Sequence, residues 1–157
     1  MANRSPRRAV SKIVKILLLF VGKPRDVHCN AIAEEYLKRS GRYANCEMRE
    51  IQPVRYDLWA KHPAATKVLL DPAGSALSSA GFTAMVHQAE QNARDLIFVM
   101  GGAEGHSQAW LEKVRREKAA ALVSLSKLTM PHELARAVLA EQIYRALTGL
   151  RGHPYPR

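Results

Sequence analysis

The residues best placed for chemistry lie in two loops that follow short apolar runs in the C-terminal half of the chain. The first loop is glycine-rich, Gly101 to Gly105 (GGAEG), and the second is polar, Ser124 to Pro131 (SLSKLTMP). Pro131 predicts that a helix begins there, because proline lacks the N–H that has no partner in a first helical turn. In an open α/β sheet, strand-end loops and helix N-termini face the crevice in which ligands bind. The two loops therefore predict a binding site.

The glycine-rich loop does not match the common nucleotide-binding motifs. No Lys-Ser or Lys-Thr follows it, as a P-loop requires, and it is not a full G-x-G-x-x-G motif. Glycine does allow positive φ and lets a ligand approach the backbone closely. Taken alone, such a loop is more often a tight connection between a strand and a helix. Its pairing with the second loop is what favours a site.

Apolar runs that alternate with amphipathic segments predict the elements that position these loops. Near-continuous apolar runs such as Lys15 to Val21 are typical of strands buried on both faces of a parallel sheet. The predicted strands are residues 15–21, 47–51, 68–71, 96–100 and 121–125, and the predicted helices are residues 30–37, 79–92, 107–118 and 131–149. This alternation predicts an α/β fold, with a mostly parallel sheet and helices on both faces. Little regular structure is expected between Pro53 and Ala65.

Composition indicates the class of partner. The chain has 157 residues, 47% of them apolar, which suits one domain with a substantial core. A net charge of +10, from 24 Lys+Arg against 14 Asp+Glu, favours an anionic partner such as nucleic acid, although charge alone does not choose among RNA, DNA and a membrane. Cys29 and Cys46 lack C-x-x-C spacing, so neither a metal site nor a disulfide is predicted, and a reducing cytosol fits.

The N-terminal residues carry much of the basic excess. Residues 1–25 contain seven cations and no acid. Residues 1–13 are predicted to form a disordered basic extension, and residues 14–157 a single domain. A secretory signal is disfavoured, because Lys15 interrupts the apolar run and no small-residue cleavage site follows. No run reaches the roughly 18 apolar residues of a membrane span, so a cytoplasmic protein without membrane association is expected.

The last predicted helix, Pro131 to about Gly149, is apolar around nearly its whole circumference. A terminal helix that covers one sheet face should keep a polar outer stripe. We therefore expect its second face to pack against another subunit, most simply across a two-fold axis. The alternative is a monomer in which this helix lies sunk between the sheet and the helix that begins at Ser79.

Four segments in order carry a resemblance to a known family. They are VMGGAEG, SLSKLTMPH, LAEQIYRA and the tail HPY, at residues 99–105, 124–132, 139–146 and 153–155. In this order and spacing they closely resemble the RlmH family, SPOUT-class methyltransferases of large-subunit ribosomal RNA that methylate N3 of a pseudouridine. The match is strong over residues 68–155 and reasonable over 14–51.

The resemblance implies a SPOUT-type fold with a C-terminal trefoil knot, and S-adenosylmethionine as the cofactor held in that knot. Backbone groups of three loops would bind it. Carried over by position, the cofactor-binding residues are Leu70, Gly102, Leu125, Ser126, Lys127, Leu128, Thr129, Met130 and Pro131. Leu70, Leu128 and Met130 would supply apolar walls. For each of these three residues singly, ordinary core packing is an equal alternative.

Methyl transfer asks the protein mainly for alignment, since the sulfonium is already activated. N3 of pseudouridine carries a proton, however, so a group that helps to remove it is expected. His132, His153 and Tyr155 are the catalytic candidates. A helix N-terminus disfavours a cationic ring, so a neutral His132 would be available as acceptor; capping and packing are its alternative role. The family resemblance implies that the tail helps to complete the RNA site, and that in a homodimer it completes the site of the partner subunit. The alternative is a solvated, frayed terminus.

Four arginines are candidate phosphate ligands: Arg136, Arg145, Arg151 and Arg157. Three departures from the family pattern bear on activity: Pro156 replaces a histidine that relatives commonly have, Ala103 stands where proline is usual, and the segment between Ile51 and Val68 is short. The leading hypothesis is a homodimeric ribosomal RNA methyltransferase that needs the assembled ribosome. The alternative is a SPOUT-fold RNA-binding protein without turnover.

Overall fold

A parallel sheet of five strands forms the centre of the protein. The computed structural model describes residues 14–155; the predicted extension 1–13, Pro156 and Arg157 lie outside the described residues. The strands are β1 Lys15–Val21, β2 Asn45–Ile51, β3 Thr66–Ala76, β4 Leu96–Met100 and β5 Ala120–Ser124. They pair in the order β2-β1-β4-β3-β5, and every pairing is parallel. The prediction of a mostly parallel α/β sheet is confirmed.

Burial along the strands explains their composition. All five residues of β4 are buried, as are the five central residues of β1, because each strand has a neighbour on both sides and helices above and below. The edge strand β2 has no buried residue until Ile51, and its sequence NCEMREI is correspondingly polar. The sequence prediction began β2 two residues too late, at residue 47, because Asn45 and Cys46 carry little strand signal.

Five α-helices cover both faces of the sheet. They are α1 Val27–Ser40, α2 Leu58–Lys61, α3 Ser79–Gln91, α4 Gln108–Arg116 and α5 His132–Leu150. Side-chain caps fix several N-termini: Asp26 accepts a hydrogen bond from the Cys29 N–H, and Ser107 accepts one from the Trp110 N–H. Helices α1, α3 and α5 share one core with alternate residues of β1, and α2 and α4 share the other.

The start of α5 lies one residue later than predicted. Pro131 precedes the first helical residue, His132, and its carbonyl accepts the hydrogen bond of the Ala135 N–H at 2.9 Å. Proline is thus the capping residue, with an extended ψ of 143°. Proline suits this position as well as the first helical one, because a backbone N–H at either position would have no partner within the helix.

Helix α5 buries most of its apolar circumference within the chain itself. It packs against α1, α3 and the sheet, and nine of its 19 residues are buried. This is close to the monomer alternative, so the helix's apolar composition no longer argues for a dimer. The apolar composition of α5 could not distinguish a dimer from a monomer. The packing of α1 against α5 joins residues more than 100 positions apart, and no local sequence pattern shows it.

The segment between β2 and β3 contains more regular structure than predicted. A 3-10 helix spans Pro53–Arg55, and the single-turn α2 follows it. Leu58 is fully buried, and Trp59 meets Trp110 of α4 in an edge-on contact with ring centroids 5.8 Å apart. Two tryptophans thus help to cover the sheet on this face, where the segment is short.

Strand β3 continues beyond its predicted end at Asp71. After an irregularity between Leu70 and Ser75 it pairs again with β5, as far as Ala76. Gly74 makes this possible, because a Cβ there would lie 2.6 Å from the Val123 backbone nitrogen. The close backbone approach requires glycine.

Replacing Gly74 by alanine is expected to lower the free energy of unfolding by about 1–3 kcal/mol, since the added methyl meets backbone that cannot turn aside. Urea denaturation measures this change. Gly149→Ala is the matched control: a Cβ there meets no atom within 4 Å, and alanine favours a helix, so it should be neutral or stabilising. Equal stability of the two variants would contradict the close approach.

Candidate cofactor-binding site

One cleft lies at the carboxyl edge of the sheet, beside the irregularity that follows Leu70 in β3 and the ends of β4 and β5. Its volume is about 580 Å³, in the range usual for small-molecule sites. The irregular segment of β3 and the loops after β4 and β5 form its walls, and the first turn of α5 closes one end. All nine residues predicted to bind a cofactor line it: Leu70, Gly102, Leu125, Ser126, Lys127, Leu128, Thr129, Met130 and Pro131. The structure thus brings them together; their role as ligands stays a prediction.

Further residues that line the cleft were not predicted as cofactor ligands. They are Asp71, Pro72, Met100, Gly101, Ala103, Glu104, Gly105, Ser124, His132 and Ala135. All but the last two adjoin the predicted strand ends at residues 71, 100 and 125, so taking whole strand-end segments as the ligand set would have included them. Ala135 could not be found in this way, because it reaches the cleft from the first turn of α5.

The glycine-rich loop is a rigid turn rather than a flexible link. Gly102 and Gly105 pair as an isolated bridge, and the Gly105 N–H donates to the Gly102 carbonyl at 3.0 Å. Gly105 has a φ of +74°, which favours glycine. A Cβ on Gly101 would lie 3.0 Å from the Gly105 carbonyl carbon. The turn therefore depends on its glycines and presents backbone atoms to the cleft.

The second loop is held by its own serines. Ser124 Oγ donates to the Ser126 carbonyl at 2.9 Å, and Ser126 Oγ accepts from the Leu128 N–H at 2.9 Å. Two of the three predicted apolar walls are partly or wholly buried, Met130 and Leu70. Leu128 differs, since it is 78% exposed and lies on the rim. It still lines the cleft, so its role as an apolar wall stays a prediction.

A histidine that sequence reasoning missed ties two walls of the cleft together. His106, just after the glycine turn, donates its Nε2–H to the Leu70 carbonyl at 2.8 Å. Its ring also lines a neighbouring cavity of about 230 Å³ that shares Gly101, Glu104 and Gly105 with the cleft. No local pattern could identify this bond, because its partners are 36 positions apart.

His106→Leu is expected to weaken cofactor binding about tenfold, because it frees a half-buried carbonyl and loosens two walls. Isothermal titration with S-adenosylmethionine measures the dissociation constant. His106→Gln, which retains an N–H donor, should recover most of the affinity. If both variants bind as the unmodified chain does, the bond has no part in shaping the cleft.

Of the three predicted catalytic residues, only His132 borders the cleft. His153 follows the far end of α5, whose 19 residues span about 28 Å at ~1.5 Å per residue. Tyr155 folds back, and its hydroxyl donates to Glu141 Oε1 at 2.9 Å, nine residues and about 13 Å along the helix from His132. Within one protomer the tail therefore does not reach the cleft.

The tail is docked rather than frayed. Tyr155 packs edge-on against Tyr144, with centroids 4.6 Å apart, and its hydroxyl also contacts that of Tyr36. Burial, followed by the hydrogen bonds to Tyr36 and Glu141, raises the pKa of Tyr155. In this position the phenol stays protonated and acts as a donor. The Nδ1 of His153 accepts the Tyr155 N–H at 3.2 Å, so the neutral ring carries its proton on Nε2.

The predicted phosphate ligands have different environments. Arg136 is 1% exposed and lies over the Phe20 ring, 3.9 Å from its centroid, with an ion pair to Glu133. It cannot contact a phosphate there, so that prediction was wrong; an arginine near the start of a helix gives no sequence sign of burial. Arg145 and Arg151 are partly exposed in ion pairs with Glu141 and Glu90, both at 2.7 Å. Arg157 lies outside the described residues.

The described residues hold neither a metal cluster nor a membrane-spanning helix. Within residues 14–155, no group of three or more His, Cys, Asp or Glu side chains has the arrangement of a metal site. Over the same residues, no helix combines the length and the apolar content needed to cross a membrane.

Comparison with known proteins gives a consistent result. A family model described as "Predicted SPOUT methyltransferase" matches residues 14–156. A protein from Solibacter usitatus named "Ribosomal RNA large subunit methyltransferase H" is 58% identical over 144 residues, which cover 92% of this chain and 100% of that protein. A protein of the same name from Thermus thermophilus is 38% identical over 146 residues, covering 92% of this chain and 99% of that protein.

Two solved structures share the fold. A methylase family protein from Neisseria gonorrhoeae superposes with a TM-score of 0.54 at 13% identity, covering 84% of this chain and 81% of that one. An RNA methyltransferase from Bacillus anthracis gives 0.50 at 11% identity, covering 92% and 99%. At such identities the likeness concerns the arrangement of the backbone alone.

Proposed function

Because the chain belongs to the SPOUT methyltransferase family, we propose that it methylates large-subunit ribosomal RNA in the cytoplasm, at N3 of a pseudouridine, with S-adenosylmethionine as methyl donor. One observation carries the proposal: the irregular segment of β3 and the loops after the neighbouring β4 and β5 form a single cleft lined by every residue expected to bind the donor. The names of the curated relatives supply the class of RNA.

The cleft suits this cofactor. Its volume accommodates a nucleoside joined to an amino acid, and at Gly101, Gly102 and Gly105 the glycine turn brings backbone without side chains to the cleft. Main-chain atoms of residues 125–131 would bind the adenine, with Leu70 and Met130 beside it. When bound, S-adenosylmethionine supplies an activated methyl group, so the protein's task is alignment.

Removal of the N3 proton falls to groups at the edge of the cleft. His132 is exposed there and is our candidate acceptor in the same protomer. His153 and Tyr155 belong to the other end of α5, so they would act only in the cleft of a second subunit. We therefore propose a homodimer in which each tail completes the partner's site. The hydroxyl of Tyr155 donates its one proton to Glu141, so in its docked position its oxygen could serve the base only as an acceptor.

The remaining arginines are proposed RNA contacts of this composite site. Arg145 lies beside the Tyr155 ring, 5.6 Å from its centroid, and Arg151 follows the end of α5. Both carry ion pairs that a phosphate would have to compete with, so each is expected to contribute modestly. Arg157 remains a candidate from its sequence position.

We also propose that the C-terminal segment is threaded as a trefoil knot. The order of the sheet places β5 beside β3 rather than β4, and α5 then packs against α1, which belongs to the other side of the sheet order. Pulling single molecules by their ends would test this. A tightened knot leaves the extended chain shorter than the ~3.6 Å per residue of an open one, whereas the full length would exclude threading.

Cells that lack the gene provide the test of function. Mass spectrometry of their large-subunit ribosomal RNA should show an unmethylated pseudouridine, and a copy of the unmodified gene should restore the methyl group. A His153→Ala copy should restore little of it. Persistence of the methylated nucleotide in the knockout would favour the alternative, an RNA-binding protein without turnover. Full restoration by His153→Ala would remove His153 from the site.

A further inference from the structure

The loop between β1 and α1, residues 22–26, lies next to residues of the cleft wall at both of its ends. At its start, Val21 lies beside the glycine turn, close enough that a Cβ on Gly102 would be 3.3 Å from Val21 Cγ1. At its end, the loop backbone contacts Glu133 in the first turn of α5, next to His132. The loop therefore lies beside the cleft, within reach of a large substrate that enters it.

The first turn of α5 holds this loop in a defined conformation. Glu133 Oε1 accepts the Arg25 N–H at 2.6 Å, and its two carboxylate oxygens accept the Asp26 N–H at 3.2 and 3.1 Å. The Asn30 amide donates to the same carboxylate at 3.1 Å. These hydrogen bonds, that of Arg25 foremost, lower the pKa of Glu133 to about 2. The carboxylate is thus ionised, and satisfied by the backbone of the loop, throughout the physiological range.

Among the described residues, the same arrangement leaves the loop's two cations without ion-pair partners. Lys23 and Arg25 are exposed, and within residues 14–155 neither side chain makes an ion pair. The two nearby acids are occupied: Glu133 binds backbone N–H groups, and Asp26 caps α1 through the Cys29 N–H at 2.9 Å. Lys127 is a further exposed cation on the rim. By contrast, the arginines at the far end of α5 have carboxylate partners.

We propose that residues 22–26 are an RNA-docking loop, in which Lys23 and Arg25 bind backbone phosphates beside the target nucleotide. This rests on the proposed function and names a surface for its substrate. Phosphate is the anion that a strand of RNA brings to the rim when one of its bases enters the cleft. Such contacts position the nucleic acid and carry no sequence information, so they suit exposed side chains on a fixed loop.

The test compares two double variants with the same change of charge. Lys23→Gln with Arg25→Gln removes the proposed contacts. The control, Arg115→Gln with Arg116→Gln, removes two exposed cations from the end of α4, which the parallel topology places at the opposite edge of the sheet. Methyl transfer to ribosomes lacking the modification is measured against ribosome concentration at several salt concentrations. Thermal unfolding and titration with S-adenosylmethionine accompany each variant.

The loop variant should raise the KM for ribosomes about tenfold and reduce the slope of log KM against log salt by about 0.7–0.9 for each lost phosphate contact. Its affinity for S-adenosylmethionine and its melting temperature should stay unchanged. The control should leave KM and slope close to those of the unmodified chain. Equal behaviour of the two double variants overturns the docking loop. Failure of the unmodified chain to methylate ribosomes would instead overturn the proposed function.

Discussion

Removing the seven residues after Leu150 is expected to reduce methyl transfer at least about 100-fold while leaving the affinity for S-adenosylmethionine within about twofold. Residues 151–155, the part of this tail that the structure describes, do not line the cleft of their own protomer, so loss of the tail should spare the cofactor. It would remove His153 and Tyr155 from the partner's site, and with them the positioning of the nucleotide. Single-turnover kinetics and calorimetric titration measure the two effects separately.

Loss of the tail also removes packing, because Tyr155 contacts Tyr36 and Tyr144. Tyr155→Phe is the matched control for this. It retains the rings' contacts but removes the hydroxyl that donates to Glu141. It should fold as the unmodified chain does and still lose much of its activity. If the truncated chain binds no cofactor at all, or if it methylates normally, the tail does not complete a neighbouring site.

Gly102→Val is expected to prevent measurable cofactor binding, and Gly102→Ala to weaken it about tenfold. A Cβ at this position would already lie 3.3 Å from Val21 Cγ1, so alanine requires a small shift and valine must direct its methyl groups into the cleft or against β1. Equilibrium binding of S-adenosylmethionine measures the series. Melting temperatures distinguish a blocked cleft from a misfolded one. Equal affinity across the three chains would mean that no ligand approaches the backbone at Gly102.

The cleft could be predicted well from sequence because its determinants are local. Glycine, proline and serine specify how a chain turns after a strand, and the apolar runs locate the strand ends. The Gly101 to Gly105 and Ser124 to Pro131 loops were therefore placed correctly, and parallel topology brought them to one edge. Pro131 was correctly predicted to mark the start of α5, but it is the capping residue, and the helix begins one residue later, at His132.

The features that sequence reasoning missed depend on contacts between distant parts of the chain. Arg136 has the composition of a surface position, but Asn30, Glu133 and Phe20 surround it. A histidine bonds to a carbonyl 36 residues away. The second pairing of β3 requires Gly74 to meet β5. Each is decided by tertiary packing that a local pattern does not encode.

Complementation between two inactive chains tests the central claim most directly, since it requires the three-loop cleft of one subunit and the tail of another in a single site. The chain truncated after Leu150 and the full-length Gly102→Val chain should each be inactive on ribosomes. Mixed and allowed to exchange subunits, they should recover about a quarter of the normal activity, because half of the dimers then contain one intact site of two. Methylation that stays absent in a mixture shown to contain heterodimers would contradict this account.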